Sequence, residues 1–159
     1  MLSVKLICAG KIKERYFADA FSEYEKRIAP YYRFEVKEIP EQRLGARPTP
    51  AGIDGALKKE ADMILAAVPK GAFLTAMCLE GERLSSEDLA ALISGRTADG
   101  GALCFVIGGS FGLHECVKRA AVLRLSLSGL TFPHHLARVV LIEQLYRAAM
   151  INSGGKYHK

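Results

Sequence analysis

The residue types most able to do chemistry are concentrated in the last third of the chain. Gly108-Gly109-Ser110-Phe111-Gly112 follows a fully apolar run, Leu103 to Ile107. Glycines just past a strand remove the Cβ atoms that hold a ligand away from the backbone, and they permit positive φ. The spacing is not GxGxxG, because Ser110 stands where the second glycine is needed, and no GxxxxGK[ST] loop occurs anywhere. Both facts argue against an ordinary dinucleotide enzyme and against an NTPase. From spacing alone, a tight turn with no ligand explains the run as well as a ligand cradle does.

A second segment, Ser128-Gly129-Leu130-Thr131-Phe132-Pro133-His134-His135, combines hydroxyls, backbone donors and apolar side chains. That lining suits a flat, neutral heterocycle such as adenine, held by main-chain hydrogen bonds between apolar walls. Taken in isolation, the plainer reading is a strand-to-helix connection with Pro133 near the helix start. His134 and His135 read as helix-start residues, since adjacent histidines point different ways and cannot share a metal as an i, i+4 pair can. Further on, Glu143 and Arg147 stand four apart with the acid first, the favourable order for a helical pair. Arg138 has no comparable partner nearby and, one turn into the helix, is a candidate phosphate contact. The chain closes on Gly154-Gly155-Lys156-Tyr157-His158-Lys159, a glycine hinge followed by a titratable pair. A frayed tail is the plain alternative.

These segments must be positioned by alternating strands and helices. Val4 to Cys8 is a short apolar run, followed at helical spacing by Phe17, Phe21, Tyr24 and Ile28. Phe34 and Val36 alternate with charged residues as in a half-exposed strand, and Arg43 to Pro50 reads as a surface loop. A helix follows through Ile53, Leu57, Ile64 and Val68 until Pro69, then a strand at Ala72–Leu79 closed by Glu80-Gly81. Ser85-Ser86-Glu87-Asp88 resembles a capping box with Asp in place of Glu. The buried strand at Leu103–Ile107, a helix near Leu113–Ala120, a strand at Val122–Leu127 and a helix at Leu136–Met150 complete the order. Strand and helix alternate five times, so the expectation is one α/β domain over residues 1–159 with a mainly parallel sheet flanked by helices.

Composition is compatible with this. Half of the 159 residues are hydrophobic and a quarter charged, the balance of an ordinary globular protein with a real core. The net charge of +5 leans towards anionic partners. Cys8, Cys78, Cys104 and Cys116 show no CxxC spacing and no metal-ligand spacing, and reduced thiols in apolar runs fit a reducing compartment. The opening apolar run is too short for a signal peptide, and no stretch approaches the ~18 apolar residues of a membrane helix. The expectation is a soluble, cytoplasmic protein with no metal and no membrane association.

In order, length and ending, these segments resemble the ribosomal large-subunit pseudouridine N3-methyltransferase family, a small branch of the SPOUT methyltransferases. The resemblance covers nearly the whole chain. It rests on the Lys11-Ile12-Lys13-Glu14 turn, Leu84-Ser85-Ser86-Glu87, Phe105 to Leu113, Leu127 to His134, Arg138 to Ala148, and Tyr157-His158-Lys159. It implies a sheet whose C-terminal part is tied in a trefoil knot, a homodimer, and S-adenosylmethionine as cofactor. It also implies methylation of N3 of a pseudouridine in 23S ribosomal RNA within the assembled ribosome.

Carried over by position, the cofactor site is Met77, Gly108, Leu127, Ser128, Gly129, Leu130, Thr131 and Phe132. Met77-Cys78 departs from the family's leucine-acid pair, which leaves any role of that acid without a counterpart. On the RNA side the expected catalytic residues are His158 as base for the N3 proton, Tyr157 as a stacking platform, and Arg138 with Lys159 as phosphate contacts. The last helix, apolar at Val139, Leu145 and Ala149, is the expected dimer interface. Competing readings are a 2′-O-ribose RNA methyltransferase, a non-catalytic ribosome-binding factor, and a flavodoxin-like enzyme. The last expects a phosphate loop after the first strand, where this chain has only Ala9-Gly10-Lys11.

Overall fold

Five strands and five helices alternate in a computed structural model that describes residues 1–159. They are β1 (Leu2–Ala9), α1 (Arg15–Ile28), β2 (Tyr32–Ile39), α2 (Pro50–Ala67), β3 (Phe73–Arg83), α3 (Ser86–Ala98), β4 (Ala102–Ile107), α4 (Glu115–Ala120), β5 (Leu123–Ser126) and α5 (His134–Asn152). Local chemistry sets several boundaries. Thr49 caps α2 by accepting from the Gly52 amide at 3.0 Å, and Pro50 at the first helical position loses only a donor that has no helical partner. Ser85 and Asp88 form the reciprocal capping box expected of them.

The strands make one sheet in the order β2-β1-β4-β3-β5, and every neighbouring pair is parallel. A parallel sheet needs cover on both faces, and side-chain alternation along the central strands serves both. Leu2, Val4, Leu6 and Cys8 of β1 join Leu103, Phe105 and Ile107 of β4 in the larger core, with α1, α3 and α5 residues. Ile7 and Ala9 join Cys104 and Val106 in the core on the other face, which includes α2 and α4 residues. Burial of each large aliphatic side chain contributes ~1.5–3 kcal/mol, so these short, unbroken apolar runs are where the fold is anchored. α5 packs against both α1 and α3. Its Leu145 is fully buried and Ala149 is buried beside it, so these two belong to the protomer's own core, not to the outward interface expected of them. Only Val139 of that trio stays partly open.

β3 runs four residues beyond its expected end. Met77 and Glu82 both stand opposite Leu125 of β5, so Cys78 to Gly81 form a bulge. The bulge leans on β5 at Gly81, where an added Cβ would lie 2.7 Å from backbone atoms of Arg124 and Leu125. Because backbone cannot swing aside, Gly81→Ala should cost about 1–3 kcal/mol in urea unfolding. The same substitution should weaken ligand binding in the cleft this bulge lines, as read by calorimetry.

Candidate functional site

All five strands point the same way, so their carboxyl ends share one edge of the sheet, the usual ligand side of open α/β folds. Beyond the ends of β3, β4 and β5 lies a cleft of ≈ 640 Å³, within the range of small-molecule sites. Met77, Gly108, Leu127, Ser128, Leu130, Thr131 and Phe132 all line it. Gly129 belongs to the same loop but does not. Its missing Cβ points at the Arg83 guanidinium, 2.7 Å away. The structure therefore gathers three segments, distant in sequence, into one cavity.

No Asp, Glu, Lys or Arg lines this cleft. Leu79, Ile107, Leu130 and Phe132 give apolar walls. Loop 127–133 supplies backbone groups: Ser126 Oγ donates to Ser128 O at 2.8 Å, and the Leu130 amide donates to Ser128 Oγ at 3.0 Å. The amides of Gly129, Thr131 and Phe132 donate to nothing in the protein. Cys78, at the position of the missing acid, keeps a neutral thiol, because burial and then Glu80 raise its pKa. His134 sits at the rim, and burial, followed by repulsion from His135, lowers its pKa below the usual imidazole range.

The glycine turn contributes differently from expectation. An added Cβ at Gly108 would lie 2.2 Å from the Gly112 carbonyl oxygen, and one at Gly109 would lie 2.5 Å from Glu41 Oε1. Both missing side chains make room for the protein itself. Gly108 lets the turn close on its own backbone, and Gly109 lets the Glu41 carboxylate reach the Ser110 amide and hydroxyl.

The residues expected on the RNA side lie elsewhere in the protomer. Arg138 is 1% exposed. Its Nη2 donates to the carbonyls of Ala9 and Gly10, each at 2.8 Å, and its Nη1 lies 3.4 Å from Glu38 Oε1. This is a correction: the guanidinium faces inward onto the end of β1 and presents nothing to a phosphate. Sequence spacing could not reveal it, because its partners lie about a hundred residues away. His135, a buried residue missed by sequence reasoning, completes the anchor through Nδ1 and Glu14 Oε2 at 2.6 Å.

The tail folds back on the domain. Gly154, at φ +70, and Gly155, whose amide donates to Met150 O at 2.8 Å, close α5 with a left-handed cap, so the glycine pair ends the helix before any hinge begins. Tyr157 donates to Glu143 Oε1 at 3.0 Å, and its ring packs on Tyr146 and under Arg147. His158 Nε2 meets Glu87 Oε1 at 2.8 Å, and its Nδ1 lies 3.4 Å from Arg147. Neither Tyr157 nor His158 lines the cleft.

A parallel α/β sheet with a neutral cleft at its carboxyl edge and a C-terminal helix beside that cleft is the frame of a small-ligand α/β enzyme. The chain belongs to the SPOUT methyltransferase family, whose profile, described as "Predicted SPOUT methyltransferase", matches residues 2–158. Methyltransferases of this class take their methyl group from S-adenosylmethionine.

Among curated relatives, a Streptococcus pyogenes protein named ribosomal RNA large subunit methyltransferase H is 42% identical over 159 residues, covering 99% of this chain and 100% of the relative. A Methanoregula boonei protein that bears the same name provisionally is 47% identical over 160 residues, with the same coverage. Two solved structures share the fold. One, from Bordetella pertussis Tohama I and described as "Probable Methyltransferase", has TM-score 0.62 at 17% identity, covering 92% of this chain and 93% of that one. The other, a tRNA (m1G37) methyltransferase from Aquifex aeolicus, has TM-score 0.55 at 15% identity, covering 92% of this chain and 69% of that one.

The residues present fit the cofactor. The volume is sufficient, the apolar walls and free amides suit adenine, and the lack of cationic side chains avoids repelling a sulfonium. His134, held neutral, serves the same end, and this yields a pH prediction. The folded protein resists protonating His134, whereas the unfolded chain does so near the ordinary value of 6.5. The unfolded state therefore binds more protons as pH falls below that value, and folded-state stability declines until the depressed folded pKa is passed. Thermal melting of wild type and His134→Gln between about pH 7.5 and 5.5 checks the sign: acidification should cost the wild type more.

Proposed function

We propose that this protein transfers a methyl group from S-adenosylmethionine to N3 of a pseudouridine in 23S ribosomal RNA, acting in the cytoplasm on the assembled ribosome as a homodimer. The observation that carries the reading is full-length identity of 42–47% to proteins named ribosomal RNA large subunit methyltransferase H. It is supported by the neutral cleft that the same segments build. The return of α5 across the sheet to pack on α1 and α3 is compatible with the trefoil knot expected of the C-terminal part.

Bound S-adenosylmethionine supplies an electrophilic methyl on a cationic sulfur. The chain's own residues would hold it: loop 127–133 offers amides, while Leu79, Leu130 and Phe132 offer apolar surface that the cofactor would cover. A dry, neutral site favours a reaction in which charge is lost. The N3 proton must leave so that the nitrogen lone pair can form the N–C bond, while the S–C bond pair goes to sulfur. His158 is our candidate base.

Its docked position lies beside Glu87 and Arg147, with Tyr157 on Glu143. Along α5, Glu143 is about 14 Å from the cleft rim at His134, at 1.5 Å per helical residue. That distance is our reason for placing Tyr157 and His158 over the cleft of the second protomer. Half-buried Leu136, Val139 and Val140 of α5, close to the rim, form the strip we assign to an isologous contact. The basic net charge and the RNA named for the relatives agree with an RNA substrate.

Ribosomal RNA from a strain lacking the protein should lose one methyl group on a pseudouridine by mass spectrometry. An unchanged methylation pattern would remove this function. Deleting Tyr157 to Lys159 should lower turnover by about 10²-fold or more with little change in cofactor affinity. Mixing this truncated protein with a cleft-blocked full-length variant should restore activity if the tail acts across the dimer. Full activity of the truncated protein alone would show that the tail takes no part.

A further inference from the structure

Next to the cofactor-sized cleft lies a second cleft, of ≈ 630 Å³, that the reading above leaves unused. The two are contiguous, sharing Gly109 and Ser110. Its walls come from the β1–α1 loop, the β2–α2 loop, one side of α2, and Phe111 at the tip of the glycine turn. Three features of this cavity bear on what it could hold.

The first is charge. Lys13 and Arg43 on its walls are exposed, as are Lys11 and Arg47 on the same two loops. None of the four takes part in a salt bridge or side-chain hydrogen bond, unlike Lys5, Arg27, Lys118 and Arg147, and the Glu41 carboxylate on the same walls is turned to Ser110. The second is Phe111, a large apolar ring left 51% exposed at the boundary of the two clefts. The third is Glu60, only 5% exposed. Its Oε1 accepts from the Gln42 amide at 2.8 Å, and its second oxygen has no protein partner. Burial, and then the neighbouring Glu41 carboxylate, hold its carboxyl above the usual range.

Unpaired cations, an exposed aromatic face and a buried acceptor converging on one cleft match the chemistry that recognises single-stranded RNA. Bases stack on aromatic rings, cations hold phosphates, and polar groups read base edges. We infer that the second cleft is an RNA subsite that holds the nucleotide adjacent to the one being methylated, with Phe111 stacked on its base, Lys13 and Arg43 on the flanking phosphates, and Glu60 accepting a base N–H. This rests on ribosomal RNA being the substrate. Contiguity through Gly109-Ser110 sets the geometry: an RNA strand crossing the glycine turn places one nucleotide over the cofactor cleft and its neighbour beyond Phe111. Phe111 is then a positioning residue that orients the target through the nucleotide beside it.

The probe is the intact ribosome isolated from a strain lacking this protein. Phe111→Ala should weaken ribosome binding about tenfold, the scale of one lost base stack, while Phe111→Tyr retains it. Affinity for S-adenosylmethionine should not change for either, since Phe111 does not line the first cleft. Lys13→Ala with Arg43→Ala should reduce the salt dependence of binding by about 1.4 in logarithmic slope, for two phosphate contacts. UV cross-linking followed by mass spectrometry should join the Phe111 peptide to the nucleotide beside the target.

Ribosomes that are methylated but bind Phe111→Ala as tightly as wild type would overturn the subsite alone. So would a cross-link from that peptide to a ribosomal protein. Ribosomes bound with the expected Phe111 dependence yet left unmethylated would overturn the proposed reaction and leave the subsite standing. Wild-type protein that neither binds nor methylates them would overturn both.

Discussion

A buried guanidinium holds this architecture together where it matters for function. Arg138 is almost wholly removed from water, a state that is unfavourable unless its donors are engaged. Two donate to the carbonyls of Ala9, the last residue of β1, and of Gly10 just beyond it, and a third faces Glu38 near the end of β2, while Nε finds no partner. Those carbonyls lie where β1 leaves the sheet and would otherwise need water. One side chain thus satisfies the end of the first strand and fixes the first turns of the last helix. The His135–Glu14 pair, with the Glu14 carboxyl lowered chiefly by that hydrogen bond, braces the same junction from α1. The rim of the cleft, His134 and Ala137, lies on this braced turn, so the cavity's shape depends on contacts that never touch a ligand.

Local signals were legible in the sequence, and long-range ones were not. The capping box at Ser85 and the apolar run at Leu103 each depend on a few neighbouring residues, and each was readable, whereas Pro50, read as the end of a loop, opens α2. The strand–helix alternation that follows from them is enough to bring Gly108 and loop 127–133 to one sheet edge, which is why the cleft could be assembled on paper. The bulge at Cys78–Gly81 could not, since it depends on how β5 lies against β3. Nor could the inward turn of Arg138, because nothing near position 138 announces Ala9 or Glu38.

At the glycine turn the structure bears on two readings that spacing left open. Glycines near a strand end suggested open backbone for a ligand, and the turn does line the cleft. The space freed at Gly108 and Gly109 is taken up by Gly112 and by Glu41. Spacing can say that a Cβ is missing, but only three-dimensional neighbours say what replaces it. α5 makes the same point: its apolar residues surround the helix because it is wedged between α1 and α3, and a one-face interface pattern was never present to be read.

The junction between Arg138 and Ala9 spans 129 positions of the chain, with consequences for synthesis. β1 is translated well before β4, which gives it its second sheet neighbour, and α5, which completes the larger core, emerges after both. Contacts between residues so far apart carry a high loop-closure cost and form late. A nascent chain cut off before α5 would lack one wall of the cleft, the cover over β1 and β4, and the donors for the end of β1. Ligand-binding competence therefore arises only once α5 has joined the sheet.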